Sequence, residues 1–154
     1  MLRFRLVFVL LFALAACDGG ITSIDELTIT VAVTPDHIVA GDTASIVVRI
    51  TNPTRSRVEI PVRCTSPFEI ANAQGEVVVG NEPLACLMYL APPEVVGPFQ
   101  SIERRTMWTG YRRTRNGSSW VTEPAAPGSY RVYGRLEGRR SAPEPIEVSA
   151  PGAQ

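Results

Sequence analysis

Apolar residues recur at every second position through most of this chain, and that period dictates extended structure. Leu27, Ile29, Val31 and Val33 alternate with Thr28, Thr30 and Ala32, and Ala44, Ile46, Val48 and Ile50 alternate with Ser45 and Arg49. A period of two places one set of side chains on a single face of a strand, whereas a helix needs apolar residues three and four apart. No segment between Leu27 and Ser149 sustains the helical spacing.

Turn residues divide the alternation into short pieces. Pro35-Asp36 and Gly41-Asp42 bound the first connection, and Asn52-Pro53 ends the second strand. Val58, Ile60 and Val62 predict a third strand, with Pro61 on the opposite face marking an edge position. Phe68–Ala71 and Glu76–Val79 flank Asn72-Ala73-Gln74-Gly75 and predict a hairpin. Cys86–Leu90 is a short apolar piece, Pro92-Pro93 breaks it, and Val95-Val96-Gly97-Pro98 reads as loop. Gln100–Tyr111 reads as one extended segment, and Asn116-Gly117 turns the chain back into Ser119–Thr122. Pro127-Gly128 leads into Tyr130–Leu136, Glu137-Gly138 turns again, and Pro145–Val148 is the last strand. Strands at this spacing predict an all-β fold of about seven to nine strands, a single antiparallel β-sandwich over residues 27–149, with an all-β barrel as the alternative. Residues 150–154 read as a disordered tail.

The first residues have a different character. Arg3 and Arg5 precede the apolar run Leu6–Ala16, which ends in Leu14-Ala15-Ala16-Cys17. A spanning helix needs ~20 apolar residues, so a run of this length reads instead as a secretory signal segment. Its end resembles the bacterial lipobox. The resemblance implies cleavage before Cys17, lipid on its sulfur, a signal peptide at 1–16 and a lipidated tether at 17–26. The predicted location is the bacterial cell envelope, with the membrane as partner through that lipid. An ordinary cleaved signal, with Cys17 an incidental mature residue, is the alternative.

Composition narrows the chemistry. The fifteen basic residues are balanced by fifteen acidic ones, and losing Arg3 and Arg5 leaves the remainder slightly acidic, which argues against nucleic acid as a partner. Every basic residue is arginine, which removes Walker, Schiff-base and general-base lysines. There is one histidine, His37, within a Thr34-Pro35-Asp36-His37 segment that reads as a turn, and Gly-x-Ser-x-Gly is absent. No catalytic residues, metal ligands or cofactor are therefore expected, and the chain is read as a non-enzyme. With Cys17 lipidated, Cys64 and Cys86 remain as a pair in an oxidising compartment, where a disulfide is expected.

Three segments together carry a family pattern: Ile46–Thr54 with Val58-Glu59-Ile60, Phe68-Glu69-Ile70 through Gly75-Glu76-Val77-Val78, and Trp108 followed by Pro127–Gly134. They resemble the BsuPI-type intracellular proteinase inhibitor family. The resemblance implies a small immunoglobulin-like β-sandwich, with Trp108 in its core and the Tyr130 hydroxyl bonded to backbone at a corner. It also implies proteinase inhibition as an alternative activity. No reactive-loop residue is carried over from it.

Two surfaces are candidates for contact with an envelope protein or a protease. Arg104 and Arg105 are expected on the first strand of a hairpin whose tip is crowded by Arg112, Arg113 and Arg115, with Tyr111 and Trp120 nearby. Guanidinium forks suit carboxylates and phosphates, and aromatic rings add stacking area. The second surface lies in the loop from Arg63 to Pro98, where Pro92, Pro93 and the segment ending at Phe99 form a stiff apolar stretch. The function expected is that of a membrane-anchored, non-catalytic protein-interaction module.

Overall fold

The structure, a computed structural model, describes residues 23–61, 65–80 and 92–150. Cys17, Cys64 and Cys86, and with them the signal, lipidation and disulfide expectations, lie outside the described residues. So do Val62, Cys86–Leu90 and residues 151–154.

A single 3-10 turn, Ile24–Glu26, precedes the strands. These are β1 (Thr28–Thr34), β2 (His37–Val39), β3 (Ala44–Thr51), β4 (Val58–Ile60), β5 (Phe68–Asn72), β6 (Val77–Val79) and β7 (Glu94–Val96). There follow β8 (Ser101–Trp108), β9 (Tyr111–Asn116), β10 (Ser119–Pro124), β11 (Gly128–Leu136), β12 (Arg139–Arg140) and β13 (Glu144–Ser149). One sheet has the order β1-β3-β8 and the other β2-β13-β11-β5-β6, with β12 also paired to β11. The pairs β4-β7 and β9-β10 stand apart from both.

The alternation seen in the sequence is the burial pattern. Ala44, Ile46, Val48 and Ile50 of β3 are fully buried and face Val132, Ile146 and Val148 of the opposite sheet across one core. At Gly134 the sheets approach closely: a Cβ there would lie 2.9 Å from Val48 Cγ1 and 3.1 Å from Ile29 Cγ2. Trp108 and Tyr130 are buried and meet edge to face at 5.7 Å. The Tyr130 hydroxyl donates to the Ala126 carbonyl at 2.7 Å and the Trp108 Nε1 to the Tyr111 carbonyl at 2.7 Å. Both rings thus satisfy their polar tips while filling the core.

Several elements differ from the sequence reading. Among the described residues there are thirteen strands rather than seven to nine. Strands β2, β7 and β12, not expected from the sequence, have two or three residues, too few to display a period. His37 begins β2, which runs parallel to β13, and its Nε2 lies 2.8 Å from the Ser149 hydroxyl. Glu94–Val96 is a strand paired with β4, not loop. The extended segment from Gln100 breaks at Thr109-Gly110, where Gly110 takes φ 71 and packs on Ala40, so β8 and β9 enter different sheets. Ser23–Glu26, expected within the tether, belongs to the fold: Arg139 donates to the carbonyls of Ile24 and Leu27, both at 2.8 Å.

The register defines two ends of the sandwich. Thr28, Thr51 and Ser101 align at the end where the chain enters β1, and Thr34, Ser45 and Met107 align at the far end.

Candidate functional site

The expected arginine cluster divides between the two sheet systems. Arg104 and Arg105 lie on β8, in the three-stranded sheet, and Arg112, Arg113 and Arg115 lie on β9. Arg104 stands opposite buried Val48, on the core-facing side of an edge strand, and reaches Glu94 of β7 at 2.7 Å. An inward-facing charge of this kind discourages further strands from pairing at the edge. On the other face, Glu103 receives Arg49 and Arg105, both at 2.6 Å. The Arg49 hydrogen bond, followed by that of Arg105, holds the Glu103 carboxyl below its ordinary range.

On the β9-β10 hairpin the two faces differ. Arg112 pairs with Glu123 at 3.0 Å, and Thr114 bonds the same carboxylate at 3.2 Å, so that face is internally neutralised. The other face carries Tyr111, Arg113 and Arg115 on β9 with Trp120 opposite Arg115 on β10. The Arg113 guanidinium lies 5.7 Å from the Trp120 ring centroid, and Arg115 Nε donates to the Gly117 carbonyl at 3.1 Å. Both arginines are exposed, and neither forms an ion pair among the described residues. The hairpin is rooted at the far end of the sandwich, beside β6, where Ala125 donates to the Gly110 carbonyl. Two arginines with adjoining aromatic surface can hold a carboxylate or phosphate group by paired hydrogen bonds while a ring stacks alongside.

The proline-rich candidate runs along β7, from Pro92-Pro93 beside Glu94, which reaches Arg104 in mid-β8, to Phe99 at the chain-entry end. Pro92, Pro93 and Phe99 are all exposed, and β7, between the prolines and Phe99, pairs with β4 and not with the hairpin. Their segment is held by Asn52, which is fully buried. Its side-chain amide donates to the carbonyls of Ser56 (2.7 Å), Val96 (3.0 Å) and Gly97 (3.1 Å), and its Oδ1 accepts from Thr54. Gly97–Gln100 is a β-turn closed by the Gln100 amide on the Gly97 carbonyl at 3.2 Å.

Sequence reasoning missed a third cluster, on the outer face of the six-stranded sheet. Arg135 of β11 is directly opposite Arg140 of β12, an arrangement of like charges that repels. Glu69 of β5, 2% exposed, lies between them, 3.4 Å from Arg135 Nε and 2.5 Å from Arg140 Nε. Arg140 also lies over the Tyr133 ring, and Arg135 donates to the Gly80 carbonyl. A hollow of about 430 Å³ lined by Thr65, Arg135, Glu137 and Gly138 opens beside them. The signal in the sequence was Glu69 within the otherwise apolar Phe68–Ala71, where an acid flanked by buried positions demands a cation. Among the described residues no group of His, Cys, Asp and Glu is placed to hold a metal ion. Among them also, no helix is long and apolar enough to cross a membrane.

An antiparallel sandwich in which β1, β3 and β8 face β13, β11 and β5, closed by a tyrosine whose hydroxyl bonds upstream backbone before the central strand, is immunoglobulin-like. No family model matches the chain, and no curated protein matches it. Solved structures do. The alkylpurine DNA glycosylase AlkC of Pseudomonas fluorescens, solved with DNA containing an abasic site analog, is 16% identical with a TM-score of 0.53, over 81% of this chain and 31% of that one. A β-glucosidase from Listeria innocua is 11% identical with a TM-score of 0.49, over 80% of this chain and 16% of that one. A CARDB domain from Pyrococcus furiosus is 16% identical with a TM-score of 0.43, over 79% of this chain and 91% of that one. The chain thus spans under a third of the glycosylase and less of the β-glucosidase, and the likeness is one of fold.

Proposed function

We propose that the chain is a lipoprotein of a bacterial envelope, held to the membrane by lipid on Cys17, and that it acts there as a non-catalytic interaction module. Its binding face is the side of the β9-β10 hairpin that carries Arg113, Arg115 and Trp120. The observation that supports this reading is the contrast among the arginines. Arg104, Arg105 and Arg112 each have a carboxylate partner, whereas Arg113 and Arg115 have none among the described residues and share a face with aromatic surface. The partner that fits is an acidic envelope protein.

The full chain, crosslinked in its own membranes and recovered by affinity tag, tests this. Replacing Arg113→Glu together with Arg115→Glu reverses charge at a contact point and lowers recovery of the partner about tenfold or more. Arg105→Glu, which lies on the three-stranded sheet, leaves recovery unchanged. Undiminished recovery with the double variant overturns the assignment of the face.

A disulfide between Cys64 and Cys86 belongs to the same reading, since export places the chain in an oxidising compartment. Gly80 packs directly on the backbone of Phe68 and Glu69, so the chain segments that lead to the two cysteines start from one neighbourhood. Proteinase inhibition rests on the resemblance to the BsuPI-type family, supported by the exposed Phe99 turn. Titration of the purified chain against a panel of serine proteases tests it, and absence of inhibition at micromolar protein removes it.

A further inference from the structure

Phe99 combines two costs that a surface loop normally avoids. It is an aromatic residue left 68% exposed, and its backbone has φ 56. It occupies the third position of the Gly97–Gln100 turn, after Pro98, where a type II turn calls for glycine. A bulky residue in that conformation is a genuine outlier, and such strain concentrates where it serves function.

Its position supplies the reason. Phe99 lies two residues before Ser101, in the row Ser101, Thr51, Thr28, so it sits at the end where the chain enters β1. With strands spaced about 4.8 Å apart, β8 lies about 10 Å from β1. Six residue steps separate Ser23, where the described chain begins, from Cys17, and they span at most about 21 Å. The lipidated residue therefore cannot carry this end of the sandwich far from the bilayer. Pro53 and Pro98, also exposed, flank Phe99 on that end. Nearby charges give no net positive patch, since Arg57 pairs with Glu59 at 3.5 Å and exposed Arg55 stands against exposed Asp25 and Glu26, which leaves apolar contact rather than headgroup attraction as the driving term.

We propose that Phe99 is a membrane-insertion anchor: the Gly97–Gln100 turn seats in the interface of the bilayer that holds Cys17 and sets the sandwich upright, with the hairpin rooted at the membrane-distal end. This rests on the lipid attachment at Cys17. Insertion of one side chain beside an acyl anchor adds little to attachment itself, so it acts on orientation.

The test uses the lipidated full chain in phosphatidylcholine–phosphatidylglycerol vesicles, with Phe99→Trp compared with wild type. Acyl-chain bromination quenches the added tryptophan about twofold or more, since interfacial groups lie at the headgroup–acyl boundary. The quenching persists in high salt, and the wild-type signal from Trp108 and Trp120 changes little. A chain that floats with the vesicles while the fluorescence of the introduced tryptophan is unquenched overturns the insertion and leaves the anchor standing. A chain that does not float overturns the lipid attachment and the insertion with it. A blue shift that depends on protein concentration in detergent reassigns the turn to contact between copies and likewise overturns the proposal.

Discussion

Tyr130 shows how much a single polar atom contributes to this sandwich. Its ring packs against Trp108 and its hydroxyl donates to the Ala126 carbonyl at 2.7 Å. Burial pushes its ionisation above the ordinary tyrosine value, with Arg112 opposing. A group whose pKa is raised on folding contributes stability below its unfolded pKa and loses it as pH rises through the folded value. The wild-type protein is therefore expected to lose stability above about pH 10. Tyr130→Phe costs about 1 kcal/mol at neutral pH and removes that alkaline component, both measurable by urea titration across pH. Phe99 predicts the reverse behaviour. Replacing an αL residue by glycine relieves about 1 kcal/mol, and the exposed ring contributes little packing, so Phe99→Gly unfolds at the same or a higher urea concentration than wild type. A clear drop in midpoint would mean that the ring packs on its own domain.

At the scale of elements, β1, β3, β11 and β13 were legible because each displays its period over six or more residues. β3 is the clearest case, with its four apolar positions all fully buried. What escaped the sequence was short or non-local. β7 is three residues long and owes its pairing to β4 and to Asn52, forty-four positions from Val96. The arginine cluster was misplaced because Gly110 redirects the chain between β8 and β9, so proximity along the sequence did not become proximity in space. Only the subset on one hairpin face, Arg113 and Arg115, stays together without an acid among the described residues. Glu69 escaped because its two partners come from strands that follow it by more than sixty residues. It holds β12 against β11, and Glu69→Gln leaves Arg135 and Arg140 face to face. Both arginine side chains are partly solvated, at 28% and 52% exposure. The cost is therefore about 2 kcal/mol rather than the 3–5 of a fully buried pair. Denaturant titration at low and high salt checks it, because screening should shrink the difference. Glu103 works in the opposite pH direction from Tyr130. Its lowered pKa stabilises the fold above the ordinary carboxylate range, and that contribution is lost as pH falls through the folded value.

At the scale of the whole molecule, the two main sheets of the described residues approach closely at Gly134. Val48 and Ile29 occupy the space a methyl group would need, so Gly134→Ala forces the sheets apart and costs about 1–3 kcal/mol. The proposed Cys64–Cys86 bridge acts on the same scale but through the unfolded chain. Closing a loop of this size removes roughly 3 kcal/mol of unfolded-state entropy. In a domain of this length that corresponds to a melting temperature lower by about 10 °C once the bridge is reduced. Cys64→Ser with Cys86→Ser should melt with the reduced wild type and show no response to reductant. A double variant that melts with the oxidised wild type would show that the two cysteines are not joined. The immunoglobulin-like sandwich would then owe its stability to the core around β3 and β11 alone.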